Sequence, residues 1–398
     1  MVGASLVDPG RIGFLELPNR LIRSGTSESM GRPDGTVGED FADLHRSLAR
    51  GGVGLAFTGH LYVSPRGRYD PIQVGIHTDA TIAGLRAATA AVHREEGRIF
   101  AQLGHAGSQS VVTGLCPVAP SDVPNVMHGR HVRGASPEDV EQVVAAFGAA
   151  ARRAAEAGFD GVHLHGANGY LISQFRSPLT NQREDEWGGA DGREALPVAI
   201  IRTIREALPR HMPLTMKIGV RDIVDAPGGL TQEQSIIGIS RLVDAGLDAI
   251  EVSSNLMSDY VSGSIRPYVA VDRQRAMEDL LLHRLHKSAE PEAYFLPDAI
   301  AVRQEIDIPI ILVGGLRRRA TIERVLASGQ ADFVSMARPF IREPDLARRL
   351  ADGAELPACV SCNICLMHDG HHALRCWRIP RRRLLHHAIL RMGGHLRH

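Results

Sequence analysis

Eight short apolar runs, separated by longer segments with a helical pattern, constrain the fold of this chain more than any other feature. None of the runs alternates apolar with polar residues, and continuous apolar runs are typical of strands buried on both faces of a parallel sheet. Eight strand–helix repeats favour a closed (β/α)8 barrel, and an open doubly wound sheet remains the alternative. The runs are Leu21–Ser24, Val53–Thr58, Ile99–Leu103, Gly161–Leu164, Leu214–Ile218, Ala249–Val252, Ile308–Val313 and Ala331–Ser335.

The segments between the runs carry helix start signals. Ser136 is followed by Pro137 and, three residues on, by Asp139, which combines a cap residue, a proline at the first helical position and an acidic first turn. Thr231 and Gln234 form a capping-box pattern. The pattern predicts a barrel over residues 1–356 and a separate C-terminal extension over residues 357–398. The predicted helices are Glu39–Arg50, Ala80–Glu96, Pro137–Ala157, Glu194–Leu208, Thr231 to near Gly246, Pro297–Gln304, Thr321–Ser328 and Pro344–Leu350.

The composition excludes several classes of protein. The chain has 398 residues, of which 44% are apolar, and this is enough for one large buried core. A formal net charge of zero argues against nucleic acid or an acidic membrane as partner. No uninterrupted apolar stretch reaches roughly 18 residues, and the start lacks the pattern of a signal peptide. We therefore expect a cytoplasmic protein, and the sequence leaves its oligomeric state open.

The loops after the seventh and eighth strands have the features of a phosphate site, which barrels often place there. Gly314–Gly315 follows strand seven, and missing side chains let an anion approach the backbone. Ala337–Arg338 follows strand eight and offers a small residue beside a guanidinium group. The alternative is a pair of ordinary tight turns with a surface arginine.

A second group of chemically active residues follows strand four. His165 and Asn168 are spaced so that both side chains could donate hydrogen bonds to one oxygen, and Tyr170 comes two residues later. A tyrosine has a free pKa of about 10, so it is protonated at neutral pH and can act as a general acid. Because the C-terminal ends of barrel strands face the active site, these three residues are candidate catalytic residues.

Two polar residues interrupt otherwise apolar strands. Gln102 lies in the third strand and Lys217 in the fifth. A buried amide or ammonium group costs free energy unless it has a partner, and a bound ligand would supply one. The alternative for Lys217 is a salt bridge within the barrel.

These segments resemble the Old Yellow Enzyme family of FMN-dependent oxidoreductases, especially the branch related to 2,4-dienoyl-CoA reductase and trimethylamine dehydrogenase. The similarity covers about residues 5–350. The most specific match is Ser177–Arg183 (SPLTNQR), followed by Asp185–Gly189 (DEWGG). Other matches are Pro18–Arg20, the turn Gln102–Gly107 and the loop after strand four.

The resemblance implies roles for individual residues around a bound FMN. Gln102 would bind the pyrimidine edge of the flavin, and Lys217 stands where the family usually has arginine, near N1 and C2=O. Ser27 matches the position that hydrogen-bonds C4=O. His60 falls where the family often has alanine, so the flavin contact there differs. Gly314, Gly315, Ala337 and Arg338 would hold the phosphate.

The resemblance also implies an activity. NAD(P)H would reduce FMN, and an α,β-unsaturated carbonyl compound would then accept hydride at its β-carbon. His165 and Asn168 would bind the carbonyl oxygen, and Tyr170 would protonate the α-carbon. The first alternative is an amine dehydrogenase or demethylase on the same scaffold, which passes electrons out through an iron–sulfur cluster. The second is a non-catalytic protein that binds flavin or metal.

Four of the five cysteines crowd into the C-terminal extension, in the spacing Cys-x2-Cys-x2-Cys-x10-Cys. Three close thiolates and one more distant thiolate can hold a [4Fe–4S] cluster, whereas zinc more often uses two separated Cys-x2-Cys pairs. The tail also resembles the iron–sulfur branch of the family, with small differences in spacing. The interpretations are [4Fe–4S], zinc and free thiols, for Cys359, Cys362, Cys365 and Cys376.

Overall fold

Eight parallel strands form the centre of the molecule, which we describe from a computed structural model. The structure describes residues 3–110, 116–122, 132–223, 227–256, 292–361, 365 and 373–376. Each of the eight predicted apolar runs contains a strand, although the strands of runs two, seven and eight are shorter than predicted or shifted. The barrel strands are β1 (Leu21–Arg23), β2 (Leu55–Phe57), β3 (Ile99–Gly104), β4 (Gly161–Gly166), β5 (Leu214–Gly219), β6 (Ala249–Ser253), β7 (Ile310–Leu312) and β8 (Phe333–Met336).

The sheet closes on itself. Every strand pairs in parallel with the next one along the chain, and β8 returns to pair with β1 through Ser335 and Ile22. All residues of the eight strands are buried, which explains why their sequences do not alternate between apolar and polar. The closed ring confirms the predicted (β/α)8 barrel and excludes the open sheet.

Helices follow the strands and cover the outside of the ring. Both predicted capping boxes are present: Ser136 Oγ accepts the N–H of Asp139, and Thr231 Oγ1 accepts the N–H of Gln234. The second helix begins two residues later than predicted, because Asp79–Thr81 forms a 3₁₀ turn instead. The helices are α1 (Glu39–Arg50), α2 (Ile82–His93), α3 (Pro137–Glu156), α4 (Ala195–Ala207), α5 (Gln232–Asp244), α6 (Leu296–Glu305), α7 (Arg319–Ala327) and α8 (Leu346–Ala351).

An N-terminal hairpin, which the sequence patterns did not predict, adds to the core inside the barrel. Its strands are Gly10–Ile12 and Leu15–Leu17, paired antiparallel. Ile12 and Leu17 are buried in one apolar cluster with Phe57, Phe100 and Phe333 from the barrel strands. Aromatic rings thus fill part of the interior, and the polar residues of the strands are confined to the remainder. Within the described residues, no helix is long and apolar enough to cross a membrane.

Candidate active site

The register of the strands brings polar residues of β3 to β6 side by side. Gln102 on β3 pairs with His163 on β4, while His165 on β4 pairs with Lys217 on β5. Lys217 in turn pairs with Glu251 on β6. Because parallel neighbours in register point to the same face, the five side chains line one continuous part of the barrel wall.

The turn after β4 holds His165, Asn168 and Tyr170 together, as predicted. The rings of His165 and Tyr170 meet edge to face, with centroids 4.7 Å apart. Asn168 has a φ of 61°, a left-handed conformation that asparagine tolerates better than most residues. The sharp turn that this conformation permits leads directly into the short helix Leu171–Arg176, whose cap residue is Tyr170.

Neighbouring loops fix the orientation of Asn168. Ser253, at the end of β6, donates its hydroxyl to Asn168 Oδ1 at 3.2 Å. The Gln109 amide donates to the backbone carbonyls of Asn168 and Gly169, at 3.2 and 2.6 Å. With its oxygen engaged, the Asn168 amide presents its NH₂ group as the donor.

Burial sets the protonation states of the same turn. Burial, together with the nearby Lys217 ammonium, holds the pKa of His165 well below its ordinary value, so the imidazole is neutral at neutral pH. Burial, with Tyr69 and Asp70 nearby, raises the pKa of Tyr170 well above its ordinary value. The turn therefore presents a neutral imidazole and a protonated phenol.

His60 lies against this turn from the loop after β2. Its ring centroid is 5.0 Å from that of Tyr170 and 5.6 Å from that of His165. Burial lowers the pKa of His60 to about 4, so this imidazole is also neutral. Its backbone carbonyl accepts the Gln73 amide at 2.6 Å, which fixes the loop. These contacts put His60 beside His165 and Tyr170, and its contact with the flavin stays a prediction.

Gln102 lies against the loop that carries Ser27. A Cβ atom at Gly25 would be 2.5 Å from Gln102 Oε1, so the missing side chain lets the loop lie directly against the Gln102 amide. Ser27 follows two residues later and is half-buried. Gln102 thus connects β3 with the loop after β1, where the resemblance puts two flavin contacts.

Lys217 is a member of a buried ion pair. Its Nζ lies 2.6 Å from Glu251 Oε2 and donates to Ser24 Oγ at 3.1 Å. Glu251 also accepts the hydroxyls of Ser24 and Ser335, at 2.7 and 2.6 Å, and lies 3.1 Å from His163 Nε2. The salt bridge inside the barrel, which was the alternative interpretation of Lys217, is therefore present. An ammonium has three donors, and the partners among the described residues take two of them.

Sequence analysis did not identify Glu251 or His163 as site residues. Burial opposes ionisation of Glu251, but the Lys217 ammonium and His163 outweigh it and hold the pKa of the carboxyl below its ordinary value. Burial lowers the pKa of His163 against the effect of Glu251, so the carboxylate accepts from a neutral ring. A signal was present, because both are polar residues within apolar strands, the criterion that identified Gln102 and Lys217.

The two glycine and arginine loops are neighbours, as the phosphate interpretation requires. Leu312 of β7 pairs with Val334 of β8, so the loops after these strands start side by side. Gly314 and Gly315 have φ values of 120° and 70°, and a Cβ at Gly314 would be 2.9 Å from the rings of Tyr294 and Phe295. Ala337 caps the short helix Arg338–Arg342. The Gly314–Gly315 turn and the start of this helix thus lie side by side at the C-terminal ends of β7 and β8, and together they form the candidate phosphate cradle.

The residues of this site fit FMN. Three buried nitrogens have no hydrogen-bond partner among the described residues: Gln102 Nε2, His60 Nε2 and His165 Nδ1. Buried polar atoms are nearly always paired, so three in one site indicate a polar ligand. The backbone cradle after β7 and β8 matches the phosphate at the other end of such a ligand.

The motif Ser177–Arg183, the most specific match to the family, supports the site instead of lining it. Ser177 donates to Asp222 at 2.5 Å, and the Asn181 amide donates to the carbonyls of Phe175 and Trp187, each at 2.8 Å. Arg176, which precedes the motif, is fully buried and donates to Glu194 at 2.9 Å. These bonds hold the segment after Tyr170 rigidly against the barrel.

The C-terminal cysteines are described only in part, and Cys362 lies outside the described residues. Cys365 is buried, Cys359 is half-buried, and Cys376 Sγ accepts Arg342 Nη1 at 3.2 Å. Leu374 donates its N–H to the carbonyl of Glu28 at 2.8 Å. Across the described parts of the chain, no three His, Cys, Asp or Glu side chains are arranged to hold a metal ion. The four-cysteine centre stays a prediction.

Comparison with known proteins identifies relatives along the whole barrel. The family model described as NADH:flavin oxidoreductase / NADH oxidase matches residues 5–356. NADH oxidase of Thermoanaerobacter brockii is 33% identical over 90% of this chain, and the chain spans 53%, about half, of that protein. The 4,4'-dithiodibutanoate disulfide reductase of Rhodococcus erythropolis is 33% identical, with 91% of this chain and 92% of the relative covered.

Solved structures agree with this relationship. Morphinone reductase in complex with tetrahydroNAD has a TM-score of 0.70 at 26% identity, over 89% of this chain and 92% of the other. The old yellow enzyme homologue from Zymomonas mobilis has a TM-score of 0.70 at 27% identity, over 90% and 96%. The resemblance drawn from the sequence motifs is confirmed by these matches.

Proposed function

We propose, from the premise that this chain belongs to the NADH:flavin oxidoreductase / NADH oxidase family, that it is an FMN enzyme that reduces activated C=C bonds at the expense of NAD(P)H. The substrate class would be α,β-unsaturated carbonyl compounds. One observation carries this proposal: a neutral imidazole, an oriented amide and a protonated phenol lie in a single turn after β4.

FMN, when bound, supplies hydride transfer, accepting hydride from NAD(P)H and delivering it to the substrate. Gln102, Ser27, His60 and Lys217 would hold the isoalloxazine ring. The unpaired amide of Gln102 and the third donor of Lys217 provide the hydrogen bonds that a flavin edge needs. The phosphate would lie in the cradle of Gly314, Gly315, Ala337 and Arg338.

His165 and Asn168 would bind the carbonyl oxygen of the substrate. A neutral imidazole and an amide NH₂ both donate without placing a full charge in the site, and pre-oriented donors stabilise charge that develops on oxygen. Ser253 keeps the Asn168 amide from rotating, so its donor stays in place. Polarisation of the carbonyl by these two residues makes the β-carbon electrophilic.

Tyr170 would deliver the proton to the α-carbon. Its raised pKa keeps the phenol protonated over the physiological pH range, and the loss of a proton to a strongly basic α-carbon remains favourable. The His165 ring packs edge to face against Tyr170 and limits its rotation. Donors and acid are thus held in one rigid turn.

A matched pair of substrates tests the proposal. Protein reduced with NAD(P)H under anaerobic conditions should be reoxidised rapidly by 2-cyclohexen-1-one and not by cyclohexene, which lacks the carbonyl group. His165→Ala should weaken the response to the enone and leave reduction by NAD(P)H intact. Equal rates with both substrates would contradict carbonyl activation. Reduction by a simple amine, in place of NAD(P)H, would favour amine oxidation instead.

The Rhodococcus erythropolis relative favours a second candidate, the reduction of an organic disulfide. That protein is described as a disulfide reductase, and the two chains match over nearly their full lengths. Transfer of one hydride to the disulfide would break its S–S bond and give one thiol and one thiolate. His165 and Asn168 would stabilise the thiolate, and Tyr170 would protonate it to the second thiol. Reoxidation of the reduced protein by 4,4'-dithiodibutanoate, compared with 2-cyclohexen-1-one at equal concentration, distinguishes the two candidates.

A further inference from the structure

One carboxylate joins five strands of the barrel. Glu251 is fully buried on β6 and receives Ser24 from the end of β1, Ser335 from β8, Lys217 from β5 and His163 from β4. All four contacts lie between 2.6 and 3.1 Å. Every lone-pair direction of this carboxylate therefore has a donor.

The His163 ring, at the edge of this network, is also held in place. The second nitrogen of His163 lies 2.8 Å from Thr215 Oγ1, and the ring stacks on Phe57 at a centroid distance of 3.9 Å. Because Glu251 is ionised and His163 is neutral, Nε2 carries the proton and Nδ1 accepts from Thr215. The imidazole cannot rotate without breaking a hydrogen bond and a stacking contact, so Glu251 is held at one position.

Burying this ion pair costs solvation free energy, so a gain in stability alone does not explain it. Two charges removed from water lose several kcal/mol of solvation each, and apolar residues of the same volume often stabilise a protein as well as a buried ion pair. The neighbouring interior of this barrel is indeed apolar and aromatic. The network contains Lys217, the cation that the family resemblance assigns to the flavin ring, and this gives the arrangement a chemical purpose.

We propose that Glu251 is a positioning residue that holds the Lys217 ammonium toward the pyrimidine edge of FMN and cancels most of its charge there. The inference rests on the proposed function, because it takes Lys217 as the flavin-edge cation. Paired at 2.6 Å, the ammonium and the carboxylate carry no net charge. The pair then stabilises the reduced, anionic flavin less than a lone ammonium would, and the flavin keeps a lower reduction potential and a stronger tendency to give hydride away.

The direct test is the reduction potential of bound FMN in Glu251→Gln, measured against a reference dye. Loss of the carboxylate charge leaves the ammonium uncompensated, so the potential should rise. We expect the ratio of reduced to oxidised FMN at a fixed dye potential to increase roughly tenfold or more, as a unit charge within about 10 Å at an effective dielectric constant of ~20 would cause. Glu251→Asp, which keeps the charge, should stay closer to the parent protein.

Glu194→Gln is the matched control. Glu194 is a buried partner of Arg176, so its loss breaks a comparable ion pair that is not part of the site. This variant should change thermal stability and leave the FMN potential unchanged. An equal shift in Glu194→Gln and Glu251→Gln would overturn the inference, because any broken ion pair would then suffice.

Lys217→Met separates this inference from the proposed site. If Lys217 donates a hydrogen bond to the flavin edge, Lys217→Met removes that donor and should weaken FMN binding; an unchanged FMN affinity would overturn the assignment of Lys217 itself. Weaker FMN binding in Lys217→Met together with an unchanged potential in Glu251→Gln would overturn only the role of Glu251.

The double variant Lys217→Met/Glu251→Gln covers the case in which Glu251→Gln alone does not fold. It contains neither charge, so no ion is left unpaired in the core. Without Lys217, burial would protonate Glu251, so Glu251→Gln in this background should leave the potential of Lys217→Met unchanged. A further shift would mean that Glu251 acts on the flavin directly, contrary to the inference.

Discussion

The imidazole of His165 lies edge-on to the phenol of Tyr170, with ring centroids 4.7 Å apart and planes at 64°. The two residues have opposite tasks in the proposed reaction, since one binds oxygen and the other protonates carbon. Their pKa values move in opposite directions for one reason, because burial disfavours the charged form of each. A single dry turn thereby keeps a neutral donor next to a protonated acid.

Tyr170→Phe should slow the reoxidation of reduced FMN by an enone and spare the reduction of FMN by NAD(P)H. The phenol is needed only to deliver a proton, and general acid catalysis typically contributes ~10²–10⁴-fold. Stopped-flow measurement of the two half-reactions gives the result. Tyr62→Phe is the control, because Tyr62 is a buried tyrosine that stacks on His77. Equal slowing of both half-reactions in Tyr170→Phe would show that the phenol only shapes the pocket.

The fold could be predicted from the sequence because the barrel strands are buried on both faces. Runs such as Ile99–Leu103 have no polar alternation, and the structure places a strand in each run. The N-terminal hairpin was not predicted, because Gly10–Ile12 and Leu15–Leu17 are too short to show a period. Its two buried residues gain their role from packing against Phe57 and Phe333, and a local pattern does not contain that contact.

The site was predictable where residues lie close together in sequence. His165, Asn168 and Tyr170 occupy one turn, so their spacing already indicates a shared task. The Glu251 network could not be predicted, because its members come from five strands and meet only through barrel closure and register. Register depends on how the whole sheet closes, which no single strand encodes.

Acid should destabilise this protein through its buried histidines. Burial lowers the pKa of His60 to about 4 and that of His105 to about 3, whereas an unfolded histidine titrates near 6.5. The unfolded chain therefore takes up protons first, and the stability present above pH 6.5 is lost as the pH falls toward these folded-state values. Each histidine contributes up to about 1.4 kcal/mol per pH unit in that window.

Urea unfolding at a series of pH values between about 7 and about 5 measures this effect. His105→Gln should reduce the slope of unfolding free energy against pH, because one titrating group is gone. An unaltered slope in His105→Gln would show that His105 does not titrate on unfolding.

Gly314→Ala should weaken FMN binding. Gly314 has a φ of 120°, and the added Cβ would be 2.9 Å from the rings of Tyr294 and Phe295, so the loop must shift. A shift that costs about 1.4 kcal/mol of binding weakens affinity roughly tenfold. Fluorescence titration of the apoprotein with FMN and with riboflavin locates the effect. The loss should be larger for FMN, because riboflavin lacks the phosphate.

Gly329→Ala is the control for backbone strain. Gly329 has a φ of 70° at the end of α7, and a Cβ there would meet nothing within 4 Å. Both variants place alanine in a conformation that favours glycine, but only Gly314 belongs to the proposed cradle. Equal losses of FMN affinity in the two variants would point to general destabilisation and remove the support for a phosphate site.

The C-terminal cysteines should bind one metal centre, and the spacing favours [4Fe–4S] over zinc. The described part of the extension already contacts the barrel. Leu374 and Ala358 donate their N–H groups to the Glu28 carbonyl and to the Glu343 carboxylate, and Arg342 donates to Cys376. Arg342 is the last residue of the short helix whose start belongs to the proposed phosphate cradle, so a metal centre there would fix the extension beside FMN.

Anaerobic purification followed by iron, sulfide and zinc analysis decides the identity of the metal. Cys376→Ala should lose the metal and loosen the extension to proteases while NAD(P)H still reduces FMN, and Cys116→Ala, at an exposed thiol, should change neither. A metal content far below one equivalent per chain in the parent protein would show that the four cysteines are free thiols.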